Sequence, residues 1–211
     1  MNPARIRDAT PDDRSAAYHI CLATGDAGGD GSAIFAEDPD ALGRLFVGPY
    51  LAFEPRFALV LEDAAGVCGY ALAALDSRSF YARYEAEWRP DLCDRYPHPP
   101  GDPATWSRVQ EVHSWYHHPD YFMPEPYEAY PSHLHIDLLP HAQGKGHGRR
   151  LMELLLDRLR EHGSPGVHLG MWARNDRAYA FYLRLAFHEY TRVGPRDTGR
   201  IYMGRRLHQG A

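Results

Sequence analysis

Apolar positions along the chain fall into three regimes. At the N-terminal end, Ala4-Arg5-Ile6-Arg7 has the character of a first strand, and Thr10-Pro11-Asp12-Asp13 carries the signals of a helix start. Thr10 can cap, Pro11 sits in the first turn where its missing N–H costs nothing, and the two aspartates favour the positive helix end. A helix is therefore predicted to run towards Ala23. Gly25-Asp26-Ala27-Gly28-Gly29-Asp30-Gly31 cannot sustain regular structure and reads as a mobile loop. A short helix is predicted after Asp38-Pro39, ended by Gly48-Pro49. Phe57-Ala58-Leu59-Val60-Leu61, a break at Asp63-Ala64-Ala65-Gly66, and Val67-Cys68-Gly69-Tyr70-Ala71-Leu72-Ala73 predict a β-hairpin.

Between Ser77 and Pro131 the regularity fades. This stretch is rich in Tyr, Trp, His and Pro, with apolar residues scattered among polar ones. Short helices are predicted at about 78–88 and 103–117, joined by loops carrying Pro97, Pro99, Pro100, Pro119, Pro124 and Pro126. The segment is too aromatic for a solvated linker and reads as an insertion on a single domain spanning 1–211. It is either a structural flap or one wall of a substrate cleft.

Beyond it, order returns. Leu134, Ile136 and Leu138 alternate with His133, His135 and Asp137, the period of a strand. Leu151, Leu155 and Leu159, with Met152 and Leu156, form a helical stripe that Gly163-Ser164-Pro165-Gly166 ends. A strand from 167 to 173, a helix from 175 to 185 and strands at 187–193 and 201–207 complete the chain. The fold class is mixed α/β, with long loops expected from 19 Gly and 17 Pro in 211 residues.

Composition narrows the function. A net charge of −5 argues against a general nucleic-acid binder. Cys21, Cys68 and Cys93 are odd in number and widely spaced, which builds neither a disulfide framework nor a zinc knuckle. With no secretory signal and no run approaching about 20 apolar residues, a soluble cytoplasmic protein without a membrane partner is expected. His113 and His117 stand four apart like a metal pair, but no third ligand accompanies them, so no metal centre is expected.

The chemistry concentrates in Asp137-Leu138-Leu139-Pro140-His141-Ala142-Gln143-Gly144-Lys145-Gly146-His147-Gly148-Arg149-Arg150. A strand ends, three glycines alternate, and an amphipathic helix begins. Unpartnered N–H groups at the helix start, the positive dipole end and the open glycines form an anion cradle suited to a phosphate or pyrophosphate. Lys145, Arg149 and Arg150 add positive charge. A P-loop would need Ser or Thr where Gly146 stands, and a dinucleotide fingerprint would need Gly where Arg149 stands. A flexible turn without a ligand is the competing reading.

Gln143-x-x-Gly146-x-Gly148 resembles the (Arg/Gln)-x-x-Gly-x-(Gly/Ala) motif of the GNAT acetyltransferase superfamily. Asn175-Asp176-Arg177-Ala178-Tyr179-Ala180-Phe181-Tyr182-Leu183-Arg184-Leu185-Ala186-Phe187 resembles that family's second block, with Ala186 in place of the usual Gly. Together the likeness covers roughly residues 132–190. Val67 to Ala73, the Glu87-Trp88-Arg89-Pro90…Arg95-Tyr96 region and the Asp137 strand are also similar to the C-terminal acetyltransferase-like region of O-GlcNAcases, a pseudo-acetyltransferase whose cofactor loop is degraded. Here that loop is intact, and nothing resembles the glycoside hydrolase domain that precedes that region.

The resemblance implies a twisted, mostly antiparallel sheet flanked by helices, with acetyl-CoA in a V-shaped gap between two strands. Backbone groups of Ile136, Asp137 and Leu138 would hold the acetyl carbonyl and pantetheine arm. Backbone N–H groups of Gly144, Lys145, Gly146, His147, Gly148 and Arg149 would hold the pyrophosphate, and Gln143 would belong to the same cofactor site. Asn175 would contact the cofactor arm as well as cap its helix, capping alone being the alternative. Tyr182, two turns further on, would protonate the departing thiolate, whereas without the motif it reads as a core tyrosine. Asp137 is the leading candidate to take the proton of the amine acceptor, although a carboxylate near pKa 3.9 is a poor base unless burial raises it. A structural acceptor role for Asp137, or a water chain, would compete. The acceptor is a small molecule or peptide, a homodimer is left open, and an inactive acetyl-CoA- or peptide-binding module is the alternative to an enzyme.

Overall fold

A computed structural model describes residues 4–119 and 128–207. Pro124 and Pro126 lie outside the described residues. The chain opens with β1 (Arg5–Asp8), a 3-10 turn (Pro11–Asp13) and α1 (Arg14–Ala23). The predicted helix start is thus one 3-10 turn followed by the α-helix. Asp13 closes the turn by accepting the Thr10 N–H at 2.7 Å.

Next come α2 (Ala41–Phe46) and α3 (Gly48–Phe53). Gly48-Pro49 therefore begins a helix instead of ending a region of structure. Proline in a first turn forfeits only an N–H with no intrahelical partner, so the dipeptide that stops one helix also starts the next.

The hairpin forms as expected from β2 (Ala58–Asp63) and β3 (Gly66–Ala74). Alternation sends Ala58, Val60, Tyr70, Leu72 and Ala74 into one core, and Leu59, Leu61, Ala71 and Ala73 into another.

The predicted helix at 78–88 is instead α4 (Ser77–Arg83), a π-turn (Tyr84–Trp88) and α5 (Arg89–Arg95). Pro90 has no N–H to continue an α ladder, which accounts for the irregular joint. A 3-10 turn (Pro103–Thr105) precedes α6 (Arg108–His117), capped reciprocally by Ser107 and Gln110. Helices α1, α2 and α6 share the first core with Tyr84 of the π-turn.

Then follow β4 (Ser132–Leu138), a 3-10 turn (Pro140–Ala142), α7 (His147–Glu161), β5 (Gly166–Trp172), α8 (Asp176–Arg184), β6 (His188–Val193) and β7 (Arg200–Arg206). The leucine stripe of α7 is buried in the second core, on the opposite face of the sheet. Among the described residues no helix is long and apolar enough to cross a membrane.

The seven strands run β1-β2-β3-β4-β5-β7-β6. All neighbours are antiparallel except β4 and β5, which run parallel and pair only at Ser132↔Val167 and His133↔His168. Beyond those two registers the strands part. The sheet splits in its middle, with Leu134–Leu138 on one lip and Leu169–Trp172 on the other.

Candidate active site

The split opens into a cavity of about 640 Å³ that reaches from the glycine loop, past β4, to the helices on the first-core face. At the loop end, Gly144 and Gly146 have φ of +72° and +81°, a backbone region that disfavours side chains, and nothing lies within 4 Å of where a Cβ would stand. Gly146 is the N-cap of α7, a fifteen-residue helix whose first amides follow directly. An open, left-handed loop leading into a long helix fits a diphosphate group. Lys145, Arg149 and Arg150 are exposed around it.

Gln143 ties this loop to its surroundings. Its amide nitrogen donates to the Leu138 carbonyl at 2.6 Å, and its carbonyl accepts from the Arg177 guanidinium on α8. The bridge crosses the mouth of the split from β4 to α8. Arg177 also borders the cavity, a cation at the diphosphate end that sequence reasoning passed over. A basic residue two positions after a helix N-cap carries no signal by itself.

Asn175 caps α8 by accepting the Ala178 N–H at 3.0 Å, and it lines the cavity as well. The glycine-rich stretch at 25–31 docks here instead of hanging free. Asp26 and Gly29 form a two-way bridge, Asp26 pairs with Arg174, and Gly28 approaches the Asn175 side chain so closely that a Cβ would stand 2.9 Å from its nitrogen.

Midway along the cavity stand Asp137 and Tyr182. Register pairs Asp137 with Tyr70 and His135 with Leu72, so Asp137 and His135 face the α1–α2 side of the sheet, while Leu134, Ile136 and Leu138 face the α7 side. One oxygen of Asp137 accepts two hydrogen bonds, from the Tyr70 hydroxyl at 2.7 Å and from His135 Nε2 at 2.7 Å. A carboxylate oxygen can only accept, so His135 carries a proton on Nε2, and in the neutral ring the lone pair is on Nδ1. Phe46 and Tyr70 flank that imidazole, with ring centroids 5.8 and 5.6 Å away.

Tyr182 is buried, wedged between Phe181 and Phe187. Burial, reinforced by the negative charge of Asp137, holds its hydroxyl well above the usual phenol range. Burial and the same carboxylate do likewise for Tyr70 and for the Cys21 thiol beside it. At neutral pH these groups keep their protons. His133, the third residue of the alternating face, is buried, bonded to Ser77 Oγ at 2.7 Å and stacked on Tyr81, and burial drives its pKa well below the usual imidazole value. It is a packing histidine.

The α8 C-terminus fixes Tyr182. The Phe187 N–H bonds the Tyr182 carbonyl at 3.1 Å, the Ala186 N–H bonds the Leu183 carbonyl at 3.0 Å, and Ala186 takes φ of +59°. This is a Schellman turn with an alanine at the left-handed position.

Of the predicted site residues, Ile136, Asp137, Leu138, Gln143, Gly144, Gly146, Gly148, Arg149, Asn175 and Tyr182 all border one cavity. Lys145 in the loop and His147 at the start of α7 do not line it. Elsewhere, Asp63, Cys68 and His141 bring one donor atom each within 4.8 Å of one another, the one such group among the described residues. Asp63 is already engaged there by the Ala65 N–H and by His141. His113 and His117 do not converge: His113 bonds Asp38 and His117 bonds the Tyr96 carbonyl.

Residues 37–187 match the Acetyltransferase (GNAT) family model. The chain belongs to the GNAT acetyltransferase family. It is 29% identical over 206 residues to the O-GlcNAcases of Rattus norvegicus and Mus musculus, a match covering 96% of this chain but 22% of theirs. The chain therefore spans less than a quarter of those relatives, which agrees with the likeness to their acetyltransferase-like region. The crystal structure of SsHAT is 42% identical, covers 99% of this chain and 100% of its own, and superposes with a TM-score of 0.88. The yncA protein of Salmonella typhimurium, solved with its cofactor acetyl-CoA, is 19% identical with a TM-score of 0.57 over 100% of this chain and 97% of its own, and shares the fold.

Proposed function

We propose that this GNAT protein transfers an acetyl group from acetyl-CoA to a primary amine, with Tyr182 as the acid and the Asp137–His135 pair as the proton acceptor. The observation that carries this reading is the split between β4 and β5, with the open Gly144–Gly148 loop at one end and Tyr182 and Asp137 at its middle.

Bound acetyl-CoA supplies an activated thioester. The chain's own residues do the rest. Main-chain amides from Gly144 to Arg149 hold the diphosphate, with Arg149 and Arg177 adding charge. The lip of β4 at Ile136–Leu138, unpaired with β5 and with the Leu138 carbonyl taken by Gln143, offers its remaining backbone donors and acceptors to the pantetheine arm and the acetyl carbonyl. The acceptor amine forms the new C–N bond as the C–S bond breaks, and its proton passes to His135 Nδ1. Asp137 holds the imidazole in the correct tautomer and balances the imidazolium charge. Tyr182 gives its proton to the departing sulfur, a role for which a phenol kept protonated by burial is suited.

The likeness to O-GlcNAcases supports a second reading, a module that binds acetyl-CoA without turnover. Calorimetry with acetyl-CoA tests the shared premise, and no heat at saturating cofactor refutes both. Thiol release in an acceptor screen separates them: release that collapses in Tyr182→Phe supports the enzyme, and no release with any amine supports the module.

A further inference from the structure

The cavity does not end at Tyr182. A second arm continues on the first-core face, between β4 and the helices α2, α4 and α6, and its walls include Leu42, Leu45, Phe46, Tyr81, Tyr84 and Trp115. Phe46, Tyr81 and Trp115 are half-buried, so ring surface remains uncovered. Asp137 is the one acidic side chain among the described residues that line the cavity. Of the five lining arginines, Arg149 and Arg177 serve the loop end, Arg184 ends α8, Arg108 pairs with Glu111, and Arg200 lies over the rings of Trp115 and Trp172.

Resting on the acetyltransferase reading above, we propose that the acceptor is a primary monoamine carried on an uncharged aromatic or branched aliphatic body. Its nitrogen sits at Asp137 and His135, and its body lies against Phe46, Tyr81 and Trp115.

Three features converge on this class. An ammonium arriving in the arm meets a single carboxylate at its inner end, with aromatic faces that also attract cations. A second positive charge, as in a polyamine, finds no second acid among the described lining residues. A carboxylate on the carbon next to the amine would stand beside Asp137 with like charge. A peptide would press part of its backbone N–H and C=O groups against Leu42, Leu45 and Phe46, whose side chains offer no hydrogen-bond partner, which is costly. Once the ammonium has lost one proton to solvent, the neutral amine forms the C–N bond described above, its second proton passes to His135 Nδ1, and no further reactant is needed.

A matched set of amines at saturating acetyl-CoA tests the proposal: phenethylamine, phenylalanine, spermidine and a neutral tripeptide with a free N-terminus. Phenethylamine is expected to exceed phenylalanine by about 100-fold in kcat/KM, since the two differ only by a carboxylate placed next to Asp137. It should also lead the tripeptide and spermidine. Phe46→Ala should raise the KM for phenethylamine by about tenfold while changing that for propylamine far less, and cofactor affinity should hold. Equal or better use of the peptide, the polyamine or the amino acid overturns the proposal and leaves the acetyltransferase reading intact. If acetyl-CoA binds and no amine reacts, the acetyltransferase reading falls. Calorimetry of phenethylamine against the CoA complex then decides recognition: binding weakened by Phe46→Ala supports it, and no binding overturns it.

Discussion

Ala186 occupies a position that an L-amino acid other than glycine adopts at a cost. Its φ of +59° ends α8 in a Schellman turn, and it is exposed. A left-handed backbone costs a residue with a Cβ roughly 1–2 kcal/mol, and glycine's larger unfolded-state entropy offsets about 0.5–1 kcal/mol of that relief. Ala186→Gly should therefore stabilise the protein by about 0.5–1 kcal/mol. For a chain of this length that is a rise of roughly 1–4 °C in melting temperature. Differential scanning calorimetry at neutral pH reads the shift directly. The same turn positions Tyr182 through the Phe187 N–H and the Tyr182–Phe187 ring contact, so acetyl transfer should be unchanged or slightly faster. A lower melting temperature would refute the left-handed assignment. Stabilisation with a large fall in kcat would refute the claim that the turn already holds Tyr182 in its working position.

Further outcomes follow from other contacts. Tyr182→Phe should lower kcat by about 100-fold or more while leaving acetyl-CoA affinity within error, as calorimetry and single-turnover thiol release would show. Gly146→Ala should weaken acetyl-CoA binding by at least about tenfold and destabilise the chain by roughly 1 kcal/mol, because φ of +81° penalises any Cβ and the loop amides must approach the diphosphate closely. Arg7 forms two bonds of 2.7 Å to Asp13 and holds its carboxyl down to about 2, from an unfolded value near 3.8. That stabilisation is complete above pH ~4 and is lost as the pH falls towards ~2, so the stability gap between wild type and Arg7→Met should close over that window in acid titrations. Burial lowers the His168 pKa to about 4 against the Tyr130 carbonyl bond that raises it, so stability should also fall as the pH drops from about 6.5 to 4, and His168→Gln should flatten that slope.

Local signals made much of the molecule readable. The α7 stripe, the β2–β3 hairpin and the glycine loop each rest on residues adjacent in sequence, and each stands where periodicity and turn chemistry place it. Contacts between distant segments did not announce themselves. Tyr70 meets Asp137 because β3 and β4 align them across 67 positions, and no local pattern fixes that register. The Gln143–Arg177 bridge and the docking of Gly28 on Asn175 likewise depend on how α8 lies against the loop. His135 shared a predicted face with Asp137, but only the 2.7 Å bond shows which nitrogen keeps its lone pair. Gly48-Pro49 misled for a different reason, since proline terminates and initiates helices by the same missing donor.

The parting of β4 from β5 gives this sheet four rims instead of two. The outer pair belongs to β1 and β6, and the inner pair faces itself across the gap. Unsatisfied strand edges ordinarily invite a foreign strand and seed aggregation. Here the inner rims lie beside the Gln143–Arg177 strut and the Gly28 loop that docks on Asn175. The protein thus keeps a stretch of unpaired strand edge along the wall of a cavity, in reach of a slender amide-bearing guest.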